Sequence, residues 1–172
     1  GIWAMMAHAT GVPAAKFKRA FPEVKFILTL QEGDPPEVIE RKMRPLKKDF
    51  DAAFKTADVI QVISSFLGNW AKKKGCKNEP VLIPNAVDIA HFTQIYSEDE
   101  LQKAKNELGK KAGDVFLVTT SRLVHKNAID DVIRALPKLS EKVKFVVFGT
   151  GPDEVMLHDL AKELGVAERV LF

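Results

Sequence analysis

A chain of 172 residues and 19.1 kDa has room for one or two domains. Its 46% hydrophobic and 28% charged residues are those of an ordinary globular protein, which excludes disordered and fibrous classes. Its 26 basic and 23 acidic residues leave a formal charge of +3 and a pI near 8.9, too even a balance to imply nucleic acid as a partner. Cys76 is the single cysteine, so neither a disulfide framework nor a thiolate zinc site can form within the chain, and a reducing, cytoplasmic setting is expected.

In chain order, Gly1-Ile-Trp-Ala-Met-Met-Ala7 is apolar but has no basic leader and does not read as a signal peptide. The absence of an initiator Met before it, and the strand-like Arg169-Val-Leu-Phe172 at the other end, point to a portion of a longer protein. Val24–Leu30 has the β-branched and aromatic make-up of a buried strand, ended by Gly33-Asp-Pro-Pro36. Ile39, Met43, Leu46, Phe50, Phe54 and Ala57 recur at spacings of three and four, a helical stripe kinked or restarted at Pro45. Asp58–Ile63 is a second strand, Ser64 or Ser65 caps a helix that Gly75 ends, and Pro80–Ile83 is a third strand. The apolar run Val115–Val118, like the apolar opening of the chain, is far shorter than the roughly 20 residues that cross a bilayer.

Pro84–Phe92 shows no clear period, and Ser97-Glu-Asp-Glu100 is a capping box opening a charged helix that Gly109 closes. The domain junction is expected between these two segments. Beyond it the pattern predicts a strand at Val115–Thr120 and a helix with Ile129, Val132, Ile133, Leu136 and Leu139 on one face. A strand at Lys144–Phe148, a helix from about Asp153 to Leu164 and a terminal strand follow. Two βαβαβ units of this kind predict an α/β fold with parallel sheets, flanking helices and ligands at the carboxyl ends of the strands.

Two strand-end loops carry chemistry. Phe148-Gly-Thr-Gly-Pro-Asp153 has two glycines that permit close backbone approach ahead of a helix N-terminus, which suits a phosphate, although a tight structural turn explains it about as well. It is not the dinucleotide fingerprint, because the third glycine position is Glu154. Thr119–Ala128 places Arg122, His125 and Lys126 before another helix, and paired guanidinium and ammonium groups suit a diphosphate as well as they suit a solvated surface.

Val81-Leu-Ile-Pro-Asn-Ala-Val-Asp88 with Phe92, Ser121-Arg-Leu-Val with Lys126 and Ile129-Asp130, Phe148-Gly-Thr-Gly-Pro152 and Val170-Leu-Phe172 occur in an order and spacing that resemble the group 1 glycosyl transferases, family 4, of the GT-B fold. The resemblance runs from about Phe26 onward and is strongest over residues 80–172. It implies a partial GT-B architecture: residues 1–84 from the acceptor-side Rossmann-like domain, 85–110 as hinge and connecting helix, and 111–172 from the donor-binding domain.

The implied activity is a retaining transfer from a nucleotide-diphosphate sugar to a saccharide or lipid-linked acceptor, with no metal and no cofactor. Arg122 matches the arginine that holds the donor diphosphate. The accompanying lysine is commonly five residues on, where this chain has Asn127, while Lys126 stands at plus four. Gly149, Thr150 and Gly151 are expected near the nucleotide, and Gln31 occupies the strand end where many members carry a histidine. Glu32 and Asp34 share that loop, as acceptor contacts or as a solvated turn. Asn85 and Asp88 match the hinge motif and are read as structural. The family's two glutamates spaced eight apart beside the donor sugar do not occur before Phe172, so no catalytic residue is assigned and the chain alone is expected to be inactive.

His8, His91, His125 and His158 lack metal-ligand spacing and read as surface or capping residues, with His125 also a candidate phosphate contact. Basic clusters at Lys16–Arg19 and Arg41–Lys48 suit a solvated face or a peripheral contact with an anionic membrane, at its inner, cytoplasmic side. A non-catalytic module with a degenerate site, or a GT-B epimerase or phosphorylase, are the alternative functions; Gln31 and the shifted lysine favour the module.

Overall fold

Strand β1 (Ile2–Met5) lies in the apolar opening, where the pattern predicts no element. Its burial alternates, with Ile2 and Ala4 toward the core and Trp3 and Met5 exposed, but all four residues are apolar, so the sequence carries no alternation to read. A π-type turn, Met6–Gly11, leads into α1 (Val12–Ala20), with Pro13 in the first turn, where its missing N–H costs nothing. The computed structural model describes residues 1–172 and resolves them into two units, Gly1–Phe92 and Thr93–Phe172.

In the first unit β2 (Phe26–Leu30), β3 (Val59–Val62) and β4 (Val81–Leu82) join β1 in a parallel sheet of order β1-β2-β3-β4. Ala4, Leu28 and Ile60 stand in register and are buried. Their neighbours Trp3, Ile27 and Val59 are in register on the opposite face and 71%, 42% and 40% exposed, so this unit covers its sheet on one side.

The predicted stripe divides into α2 (Pro36–Lys42), a 3-10 turn at Arg44–Leu46 and α3 (Lys47–Thr56). Pro45 has no N–H to continue a helix, and the break turns Leu46 out of the core, while Ile39, Phe50, Phe54 and Ala57 are buried as expected. Helix α4 (Ser65–Lys73) is capped by Ser64, whose Oγ accepts the Leu67 N–H at 3.3 Å, and Gly75 beyond it has a φ of +81°. A four-residue helix, α5 (Ile89–Phe92), closes the unit, with the Asp88 carboxylate accepting the His91 N–H.

Asp58 ties the strand starts together: Oδ2 accepts the Phe26 N–H at 2.7 Å and pairs with Lys18 at 2.9 Å. The Lys18 hydrogen bond, then the Phe26 N–H, hold its carboxyl below the ordinary carboxylate range. Because the folded value lies below the unfolded one, this contribution to stability is present above the ordinary carboxylate pKa and is lost as pH falls through the folded value. Asp58→Asn is therefore expected to lower the melting temperature at pH 7 and to flatten its acid dependence below about pH 4, read by thermal unfolding across pH.

In the second unit the capping box is present in full at α6 (Glu98–Glu107): Ser97 Oγ accepts the Glu100 N–H, and the Glu100 carboxylate accepts the Ser97 N–H. Then come β5 (Val115–Thr120), α7 (Ile129–Ala135), β6 (Val143–Phe148), α8 (Glu154–Glu163) and β7 (Val170–Leu171), with a parallel sheet of order β5-β6-β7. Leu123, Ile129, Ile133, Leu136, Phe145, Val147, Leu157 and Leu160 form the core. Leu139 falls outside it, 41% exposed, because Pro137 turns the chain into a 3-10 segment after Leu136. Its carbonyl, with those of Ser140 and Val143, instead accepts the Arg169 guanidinium.

Candidate functional site

The two loops predicted to face a nucleotide lie side by side at the carboxyl ends of β5 and β6. The Ser121 N–H donates to the Phe148 carbonyl (2.9 Å), the Leu123 N–H to that of Thr150 (3.0 Å), and the Asp153 N–H to that of Leu123 (3.2 Å). This backbone ladder explains the glycines. A Cβ at Gly149 would stand 1.9 Å from the Ser121 carbonyl oxygen, and one at Gly151 would stand 2.1 Å from that of Leu123. The close approach that the Gly-Thr-Gly pattern permits is thus used by the neighbouring loop. Thr150 itself is exposed.

The start of α8 is less hospitable to an anion than its position suggests, because the carboxylates of Asp153 and Glu154 already occupy it and their charge offsets the positive end of the helix dipole.

Arg122 and Lys126 are both exposed on the first of these loops. The loop is shaped by Asn127, whose Nδ2 donates to Ser121 Oγ (2.8 Å) and to the Arg122 carbonyl (2.7 Å). With both amide hydrogens engaged, Asn127 works as a staple across the turn that presents Arg122, a role distinct from the phosphate contact weighed for it. His125 opens the 3-10 turn His125–Asn127 and is exposed, and Ala128 follows with a φ of +52°. The structure thus places Arg122, Lys126 and Gly149–Gly151 on two adjoining strand ends.

In the first unit, Gln31, Glu32 and Asp34 follow β2. Gln31 Nε2 donates to Asn85 Oδ1 at 2.9 Å, which joins the strand-end loop to the segment after β4. Asp34 is half-exposed and pairs with Lys42 at 3.4 Å. Glu32 departs from the solvated-turn reading. Its side chain is fully buried, and Oε1 accepts the Ala7 N–H at 2.6 Å.

Desolvation by burial raises the Glu32 carboxyl above the ordinary carboxylate range, with the Ala7 N–H and the neighbouring His8 acting in the opposite sense. His8, read as a surface or capping residue, stands with Nδ1 3.8 Å from Glu32 Oε1. Nothing in the spacing of residues 8 and 32 announces this meeting, which comes from the β1-β2 pairing. No group of three or more His, Cys, Asp or Glu side chains is arranged to hold a metal ion.

Residues 100–172 match the family model described as glycosyl transferases group 1, and this part of the chain belongs to that family. Among similar proteins, the alpha-monoglucosyldiacylglycerol synthase of Streptococcus pneumoniae is 25% identical over 141 residues, covering 80% of this chain and 30% of that protein. The GDP-mannose-dependent alpha-(1-6)-phosphatidylinositol monomannoside mannosyltransferase of Mycolicibacterium smegmatis is 31% identical over 120 residues, covering 67% of this chain and 31% of that protein. The solved structure of Anabaena HepE in complex with UDP-glucose superposes with a TM-score of 0.80 at 20% identity, over 96% of this chain and 45% of HepE. That likeness establishes the Rossmann-like α/β fold of parallel sheets with flanking helices. The chain spans about 30% of the length of these curated relatives. None of its helices is long and apolar enough to cross a membrane.

Proposed function

We propose that this chain is the middle of a retaining glycosyltransferase that moves a sugar from a nucleotide-diphosphate donor to a saccharide or lipid-linked acceptor. Residues 1–84 serve the acceptor, 85–110 the hinge, and 111–172 the donor. The observation that carries this reading is the loop after β5, where Arg122 and Lys126 are exposed at a strand's carboxyl end on a turn braced by Asn127 and by the glycine loop. Two cations so placed neutralise a diphosphate, the guanidinium by two parallel hydrogen bonds and the ammonium as a mobile charge. As the glycosidic bond breaks, charge gathers on the departing nucleoside diphosphate, and fixed cations stabilise it.

The relatives' names supply the donors to try. Titration of the protein with UDP-glucose and GDP-mannose is expected to give saturable binding of one of them. Arg122→Ala is expected to weaken it about tenfold to a hundredfold, the range for a lost charged hydrogen bond of about 1.5–3 kcal/mol. Unchanged affinity in the variant, or no saturable binding of either donor, would sink the assignment and favour a non-catalytic module.

For a lipid-linked acceptor the reading includes a peripheral contact with an anionic membrane. Within the first unit Lys16 and Arg19 pair with Asp49, Lys18 with Asp58, Lys42 with Asp34 and Lys47 with Asp51. Each of those five cations has a carboxylate partner inside the fold, which leaves Arg41, Arg44 and Lys48 as the side chains to carry such a contact.

A further inference from the structure

The carboxyl ends of β1 and β2 hold a polar group that the fold does not satisfy. Glu32 has a side chain with no exposure, and although Oε1 accepts the Ala7 N–H, Oε2 is buried with no hydrogen-bond partner. His8 Nδ1 is likewise buried and unpartnered, 3.8 Å from Oε1, while the ring as a whole is 34% exposed. Buried polar atoms are almost always paired, and an ionisable group left otherwise is costly. A tie to the Ala7 N–H alone needs only a neutral acceptor, which a glutamine amide supplies without the charge. The turn that carries His8 is also opened by Met6 in a left-handed conformation with φ +67°, which a side chain adopts at a cost.

These features fit a carboxylate that orients an imidazole. A neutral imidazole carries its proton on one nitrogen and accepts with the other, and a carboxylate facing Nδ1 selects the Nδ1–H form. With Nδ1 turned inward, the exposed part of the ring offers Nε2 as an acceptor at the ends of β1 and β2, where parallel α/β sheets receive ligands.

We propose that Glu32 is a positioning residue that holds His8 as its Nδ1–H tautomer, so that His8 Nε2 accepts a hydrogen bond from a hydroxyl of a saccharide or polyol acceptor. This rests on the reading of the first unit as the acceptor side, and it gives that side a named recognition pair in the place where Gln31 is committed to Asn85. The strained turn and the buried charge are then features of a binding residue's support.

The test uses nitrogen-15 NMR of the histidine ring at pH 8, where an ordinary imidazole is neutral. The expected result is a predominantly Nδ1–H His8 in the native protein and a severalfold loss of that preference in Glu32→Gln, which keeps an acceptor for the Ala7 N–H and so keeps the fold. Titration with methyl α-D-glucopyranoside, methyl α-D-mannopyranoside and myo-inositol is expected to shift His8 Nε2 saturably with one of them. The midpoint is expected to rise at least tenfold in Glu32→Gln, and the response of the first unit's amides is expected to be lost in His8→Phe. An Nε2–H ring in the native protein, or a tautomer indifferent to Glu32→Gln, overturns the pairing. A polyol that moves other first-unit resonances and leaves His8 still overturns the proposal and spares the acceptor reading, whereas no response anywhere in that unit overturns both.

Discussion

Gly151→Ala is expected to cost the second unit about 3 kcal/mol or more, a large share of what a domain of this size has to lose. The added methyl would lie 2.1 Å from the Leu123 carbonyl oxygen, 2.6 Å from its carbon and 2.7 Å from the Leu123 nitrogen, so backbone must move. That movement breaks the bond from the Leu123 N–H to the Thr150 carbonyl and strains the one from the Asp153 N–H to the Leu123 carbonyl. Each is worth about 1 kcal/mol net when made and more when its groups are left buried and unpaired, and overpacking adds about 1–3 kcal/mol. Gly165→Ala is the control: its φ is +67° but its Cβ meets nothing within 4 Å, so only the left-handed strain of about 1–2 kcal/mol is expected. Thermal unfolding with amide exchange in β5 and β6 separates the two. Equal losses from both variants would refute the loop-to-loop account of Gly151.

That account also shows what sequence reading can and cannot reach. Val115–Thr120 reads as a strand because its β-branched and aromatic residues are contiguous and bounded by turn residues, and β5 has those bounds. The Ser97–Glu100 box is likewise legible, since capping is chemistry between residues three apart. Gly149 and Gly151 announce a close approach but not the identity of what approaches, because the partner backbone belongs to a loop 28 residues earlier, from Ser121 to Leu123. Glu32 is harder still. A Gln-Glu-Gly-Asp tetrapeptide has the composition of a solvated turn, and only the pairing of β1 with β2 brings Ala7 and His8 onto its carboxylate. Asn127 stands where a lysine would reach a phosphate, and its side chain turns back onto its own loop. For the glycines and for Glu32 the missing information is a long-range contact, which a local pattern does not encode; for Asn127 it is the conformation of a turn that brings Ser121 and Arg122 back onto its amide.

The largest loss in the first unit is expected from Phe54→Ala. Phe54 has no exposure and meets Phe50 edge-on at 5.4 Å and Trp70 at 5.1 Å between ring centroids, so that one ring joins α3 to α4. Lys74 lies over this cluster, 5.0 Å from the Phe50 centroid and 5.9 Å from that of Phe54, while its ammonium pairs with Asp51. Truncation removes a full aromatic side chain, leaves a cavity between helices that cannot close without shifting Trp70, and takes away two ring contacts; about 3–5 kcal/mol is the expected total. Trp70 would resist the shift, because its indole N–H donates to Glu40 at 2.8 Å and so anchors it to α2. Phe66→Ala on α4 serves as the comparison, since Phe66 is 63% exposed and little apolar area is lost with it. Denaturant unfolding followed by tryptophan fluorescence reads both, Trp70 lying inside the perturbed cluster. If Phe54→Ala cost no more than Phe66→Ala, the aromatic cluster would not be what joins α3 to α4.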